Sequence, residues 1–240
     1  MKAGVDMLIY ENLTTVNRTL GKYKKNYIVL HYTGNRTDTA KGNTGYFKSV
    51  NRGASADYFS GDDGIYMCVD PQKAYSWHCG KDYSGGKAEY QGIVTNKNSI
   101  GIEMCSVNGK ITEKTFNQTV TLVKKLMKEY GIPKSNVIRH YDVCHKQCPG
   151  WKGWLPPDET LWKKFKQGLS NISKPLDRVT PGSKAEYIRW VQKKLGISAD
   201  GIYGQETMRA VAKYKKQHNF DSHSGKAVGK KMIKQLSKIK

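Results

Sequence analysis

Twelve consecutive positions, Arg139-His140-Tyr141-Asp142-Val143-Cys144-His145-Lys146-Gln147-Cys148-Pro149-Gly150, hold two histidines, two thiols, a lysine and an aspartate. Far upstream, the apolar run Ile28-Val29-Leu30 ends on a further imidazole, His31. Imidazole nitrogens and thiolates are zinc donors, and a hydrolytic zinc site takes three protein donors while leaving a fourth position for water. His31, His140 and Cys148 would supply two nitrogens and a thiolate. A rival set is local: Cys144, His145 and Cys148 could close a structural site with His140, with no part for His31 or Glu103. Plain readings stand beside both. A histidine ending a buried strand can be a hydrogen-bonded core residue, a lone cysteine an inert apolar one, and Glu103 and Lys146 solvated surface charges. Spacing alone leaves these open.

The elements that must carry these residues follow from hydrophobic periodicity. Residues 27–31 form a near-continuous apolar run, as in a buried central strand. Residues 99–104 alternate through Ile100, Ile102 and Met104, so Glu103 faces the other side of its strand. Residues 56–60 and 65–69, joined by Gly61-Asp62-Asp63-Gly64, read as a hairpin. Residues 43–50 carry Tyr46, Phe47 and Val50 at helical spacing, and residues 80–92 form a glycine-rich surface loop, expected to be mobile. The clearest helix covers residues 112–130, with Phe116, Val120, Val123, Met127 and Tyr130 on one stripe and Gly131-Ile132-Pro133 ending it. A short strand at 137–138 leads into His140, and a helix follows over 158–169. The order β-α-β-β-β-α-β-α gives an α/β domain, a mixed central sheet flanked by helices, over residues 26–169. Residues 1–25 read as an irregular arm. Residues 170–182 are a linker by composition. Residues 183–240 carry three amphipathic helices, marked by Tyr187, Trp190, Val191 and Leu195, by Met208, Val211 and Tyr214, and by Met232, Ile233 and Leu236.

The chain has 240 residues, and its 41 Lys+Arg against 20 Asp+Glu leave a formal net charge of +21. About half of that excess lies in the C-terminal segment. Such a charge points to polyanionic partners: nucleic acid, anionic lipid or wall teichoic acids. Five cysteines, an odd count, argue against a disulfide framework and for reduced thiols. The first residues lack the charge and apolar run of a secretory signal, and no stretch approaches the roughly 18 apolar residues of a membrane span. The expectation is a chain made soluble in the cytoplasm, or exported by a route the sequence does not show.

Seven segments, in order, resemble the zinc-dependent N-acetylmuramoyl-L-alanine amidase family that includes peptidoglycan recognition proteins and phage endolysins. They are Val29-Leu30-His31-Tyr32-Thr33, Ala54-Ser55-Ala56-Asp57-Tyr58, Asp63-Gly64, Trp77-His78-Cys79-Gly80, Ser99-Ile100-Gly101-Ile102-Glu103, Arg139-His140-Tyr141-Asp142 and Lys146-Gln147-Cys148-Pro149-Gly150. The resemblance implies zinc held by His31, His140 and Cys148, with Glu103 and Lys146 as catalytic side chains and His78 facing the substrate cleft. In that scheme the metal polarises the lactyl carbonyl of muramic acid and acidifies water. Glu103 moves the proton and Lys146 stabilises the oxyanion. Two departures stand out. Asp57 occupies a position often held by histidine, which would alter the polarity of the cleft, and Cys144-His145 replaces small residues.

The run Asp200-Gly201-Ile202-Tyr203-Gly204-Gln205-Glu206-Thr207 is similar to the three-helix peptidoglycan-binding domain of wall hydrolases, with a degraded second copy at Ser224-Gly225-Lys226-Ala227-Val228-Gly229. Together these imply an endolysin, a monomer that waits in the cytoplasm until lysis and cuts the wall between N-acetylmuramic acid and L-alanine. Its basic surface would meet teichoic acid rather than specific nucleic acid. One alternative is a non-catalytic recognition or wall-binding protein. Another is a DNA-binding protein with a structural zinc, favoured by charge alone. A glycosidase would need paired carboxylates, and only Glu103 is well placed.

Overall fold

The computed structural model describes residues 7–79, 87–170 and 174–239, which fall into two compact units, Met1–Leu169 and Ser170–Lys240. Among the described residues unit one is built on eight strands: β1 (Ile9–Glu11), β2 (Thr19–Leu20), β3 (Tyr27–Tyr32), β4 (Tyr58–Gly61), β5 (Gly64–Met67), β6 (Ala74–Tyr75), β7 (Ser99–Met104) and β8 (Val137–Arg139). Its helices are α1 (Ala40–Ser49), α2 (Glu113–Tyr130), α3 (His140–Cys144) and α4 (Thr160–Gly168). Six strands make one mixed sheet in the order β1-β5-β4-β7-β3-β8, while β2 and β6 pair as a separate antiparallel ribbon. Only β4 and β5 run antiparallel within the large sheet.

Alternation decides which face does what. Ile28 and Leu30 of β3, with Ile100, Ile102 and Met104 of β7, join the main core beneath Phe116, Leu122 and Leu126 of α2 and Phe165 of α4. The opposite face is set by register. In the parallel β3–β7 pair, Tyr27 lies beside Ser99, Val29 beside Gly101 and His31 beside Glu103. These six side-chain positions therefore share one surface, because successive residues of a strand point to opposite sides.

The caps are local chemistry. Thr39 accepts from Gly42 N, and the Asp63 carboxylate of the β4–β5 turn accepts from Ala40 N and Lys41 N, which starts α1 three residues before the expected helix. The expected apolar stripe of that helix is largely exposed, with Tyr46 51% and Val50 48% accessible. Thr112 caps α2, and Gly131 ends it in the left-handed conformation at φ 66°. The arm expected to be irregular instead carries β1, paired in parallel with β5 at Ile9–Ile65, and β2. Its Asn17 side chain donates to Phe47 O and Val50 O. The glycine-rich loop expected over residues 80–92 lies outside the described residues over 80–86.

Unit two holds α5 (Ala185–Lys194), α6 (Gln205–Gln217) and α7 (Lys230–Leu236) around Ile188, Trp190, Val191, Val211, Met232 and Leu236. The Asp-Gly turn closes on one buried amide. Gln192, 1% exposed, donates to Asp200 Oδ1, Ile202 O and Thr207 Oγ1 and accepts from Gly201 N. Within the segment read as a linker, Val179 is buried and exchanges hydrogen bonds of 2.9 and 2.8 Å with Val228. Among the described residues no helix is long and apolar enough to cross a membrane.

Candidate metal centre and active site

His31 is the fifth residue of β3 and is 2% exposed. His140 opens α3 directly after β8, and an arginine clamp fixes that junction. Arg139 N and Nε donate to Asp142 Oδ2, NH2 reaches Asp142 Oδ1 at 2.7 Å, and NH1 reaches Glu159 Oε1 and Trp154 O, both at 2.6 Å. The loop after α3 folds back, because Tyr141 N donates to Cys148 O at 3.0 Å. These local pins bring the Cys148 thiol to His140. The parallel β3–β8 pair brings both to His31.

One donor atom from each of His31, His140 and Cys148 lies within 4.8 Å of the other two, and all three residues are buried. Cys148 Sγ is 3.8 Å from His31 Nδ1. Zinc bonds of about 2.0–2.1 Å to nitrogen and 2.3 Å to sulfur put tetrahedral nitrogen and sulfur donors about 3.6 Å apart, so the donor set fits this ion. Burial, with help from neighbouring His140, His78 and Lys146, holds the His31 pKa well below its ordinary value. Burial and the Lys146 charge lower His140 to about 4. Both imidazoles are thus neutral, as ligation requires. Burial pushes the Cys148 thiol up, and Glu103 adds to this, so metal binding must displace its proton. Among the described residues the local set is not brought together as a donor cluster: only His31, His140 and Cys148 are, while Cys144 Sγ turns to the His140 carbonyl at 3.7 Å.

Glu103 Oε1 stands 4.0 Å from His31 Nδ1, a proximity rather than an ion pair because His31 is neutral. Its other oxygen, Oε2, is buried with no hydrogen-bond partner among the described residues. Burial raises the Glu103 carboxyl to about 7, against the opposing pull of Lys146. Glu103 also lines a cavity of about 500 Å³ with Thr33, Asn35, Asn43, Tyr46, Phe47 and Phe59. Lys146 is half-buried two residues before Cys148.

With this geometry in place, the chain matches the N-acetylmuramoyl-L-alanine amidase family over residues 21–151, more than half its length. The protein belongs to that family. The amidase is 25% identical to N-acetylmuramoyl-L-alanine amidase CwlL of Bacillus licheniformis, over 89% of this chain and 73% of that protein. It is 28% identical to N-acetylmuramoyl-L-alanine amidase CwlH of Bacillus subtilis (strain 168), over 78% of this chain and 80% of that one. Among solved structures, PlyL superposes with a TM-score of 0.56 at 26% identity, covering 69% of this amidase and 98% of PlyL. The mixed sheet flanked by helices is therefore the fold of endolysin amidases.

Two residues singled out in the sequence lie deep in the fold. His78, expected in the substrate cleft, lies beneath His31, with Nδ1 3.0 Å from His31 Nε2 and Nε2 3.1 Å from Ser99 Oγ. Both ring nitrogens thus have hydrogen-bond partners inside the fold. Asp57, expected to alter the cleft, is fully buried and accepts from Ser76 Oγ and Gly101 N, each at 2.7 Å. Sequence reasoning also missed Ser99, Gly101 and the Arg139 clamp. Gly101 had a signal: a glycine between Ile100 and Ile102 inside a strand marks a close approach. A Cβ there would stand 2.5 Å from His78 Cγ.

Proposed function

We propose that this peptidoglycan amidase cuts the amide between the lactyl group of N-acetylmuramic acid and L-alanine using one zinc ion held by His31, His140 and Cys148. The observation that carries the reading is the convergence of three buried donors beside Glu103, within the span that matches the family. When bound, zinc supplies Lewis-acid polarisation of the scissile carbonyl and a water acidified towards neutrality. Glu103 takes a proton on its unpartnered oxygen and returns it to the alanine nitrogen as that group leaves. Burial favours the protonated carboxyl and the Lys146 charge opposes it, so Glu103 can both hold a proton and release it. Lys146, whose charge acts on Glu103, His31 and His140, offers its ammonium to the developing oxyanion. The substrate strand lies in the cavity between Thr33, Asn35, Tyr46 and Glu103.

Residues 183–240 act as a wall-binding module tethered through residues 170–182, which raises the local concentration of a monomeric enzyme on an insoluble substrate. The CwlL match reaches into this segment, since it covers more of the chain than unit one contains. The +21 charge draws the enzyme to teichoic acid, an attraction that weakens with salt.

The test is zinc content and wall digestion on the same samples of wild type and Cys148→Ser. One zinc per chain and new alanine amino termini without new reducing ends are expected from wild type, with both lost in the variant. A variant that keeps full zinc and full lysis would sink the ligand set. Zinc and wall binding without cleavage by wild type would instead make the protein a recognition protein.

A further inference from the structure

The direction of each hydrogen bond around His78 can be read from chemistry. The Thr95 carbonyl can only accept, so the Ser99 hydroxyl, 2.5 Å away, donates its one proton there. The Cys79 thiol makes only longer sulfur contacts here, 3.6 Å to Ser99 Oγ and 3.9 Å to His78 Nε2, so Ser99 Oγ accepts from His78 Nε2 at 3.1 Å and the His78 ring proton sits on Nε2. In a neutral imidazole one ring nitrogen donates and the other accepts. His78 Nδ1 therefore offers a lone pair, and His31 Nε2, 3.0 Å away, must donate to it. The His31 proton then sits on Nε2 and its lone pair on Nδ1. Nδ1 is the nitrogen 3.8 Å from Cys148 Sγ and 4.0 Å from Glu103 Oε1.

We propose that Thr95, Ser99 and His78 form a positioning relay that fixes the Nε2–H tautomer of His31 and so selects Nδ1 as its metal-binding atom. The inference rests on the zinc reading of His31, His140 and Cys148. A ligating histidine commonly gives its other proton to a carboxylate, a carbonyl or water, and such partners govern ligand orientation and basicity. Here a second imidazole takes that part, with its own tautomer set two residues deeper by a backbone carbonyl.

The fold holds the relay from three sides. Asn96 Oδ1 accepts from His78 N at 3.0 Å and from Cys79 N at 2.8 Å, which anchors the backbone beneath the ring. Gly101 lets the ring lie against β7, where a side chain would collide with it. The β3–β7 register puts Ser99 and Gly101 on the same sheet face as His31. None of these residues is a metal donor, yet each constrains which His31 nitrogen meets the metal.

The test uses the full chain labelled with nitrogen-15 histidine and read by long-range proton–nitrogen correlation, with zinc affinity measured by chelator competition. Metal-free wild type should show His31 protonated at Nε2 and bare at Nδ1, with the Nδ1 signal moving when zinc is added. His78→Leu should spread His31 over both tautomers and weaken zinc about 10–100-fold. His78→Asn, whose amide oxygen can stand where Nδ1 stood, should restore one tautomer and most of the affinity, which a merely space-filling role would not predict. A bare Nε2 in wild type, or unchanged tautomer and affinity in His78→Leu, overturns the relay. Stoichiometric zinc that is lost in Cys148→Ser but unaffected in His78→Leu overturns the relay alone. A wild type that binds no zinc overturns the zinc reading and the relay with it.

Discussion

Gly101→Ala should weaken the site from a position that offers no donor to the metal. The added Cβ would stand 2.5 Å from His78 Cγ, 2.8 Å from Nδ1 and 2.9 Å from Cδ2. Non-bonded heavy atoms need about 3.5 Å, so the ring must retreat by about 1 Å. It has little freedom to do so, because its backbone is held by Asn96 and its Nε2 by Ser99. A retreat of that size carries the 3.0 Å contact with His31 Nε2 beyond hydrogen-bond range and strands a buried donor. Overpacking costs about 1–3 kcal/mol and an unsatisfied buried donor a similar amount, giving a loss of about 2–4 kcal/mol once overlap is allowed for. Urea unfolding of the metal-free protein, followed by tryptophan fluorescence, measures this directly, and zinc competition on the same sample should show weaker binding. A variant within about 0.5 kcal/mol of wild type, with unchanged zinc affinity, would refute the reasoning.

Two further outcomes follow from buried charges. Burial raises Asp57 from 3.8 to about 6, against the opposing effects of Lys25 and of hydrogen bonds from Gly101 and Ser76. Its native pKa lies above its unfolded one, so the stability it contributes is fully present below about pH 4 and lost as pH rises through about 6. At about 1.4 kcal/mol per tenfold change, Asp57→Asn should gain about 2.5 kcal/mol relative to wild type between pH 4 and pH 7.5. Parallel stability curves for the two proteins across that range would contradict this. Arg139→Met leaves Asp142 and Glu159 without their buried cation and should cost about 3–5 kcal/mol in a urea titration. It should also lower zinc content, since the clamp sets the start of α3 at His140. An unchanged midpoint and unchanged zinc would show that the clamp does not position the ligand.

Local pattern carried much of the architecture. The apolar run of β3, the alternation of β7 and the stripe of α2 each follow from one stretch of chain facing one core. The short strands β1, β2 and β6 escaped because two or three residues carry no period, and their partners lie far along the chain. The first turn of α1 escaped for a similar reason: part of its cap is Asp63, a residue of the distant β4–β5 turn. The fate of Asp57 and His78 was equally hidden, since burial is a property of the assembled sheet.

By itself, the sequence determined the family, the mixed α/β fold and which residues have the chemistry to hold a metal. Donor types and motif order are written in the chain, and they do not depend on distance. Tertiary structure alone decided which donors meet. Parallel register puts His31 beside Glu103, the Arg139 clamp and the return of Cys148 to Tyr141 close the other side, and Ser99 sets a proton on His78 that His31 must answer. A hydrogen bond's direction depends on what each partner already gives elsewhere, and that is fixed only when residues far apart in sequence are brought within 3 Å.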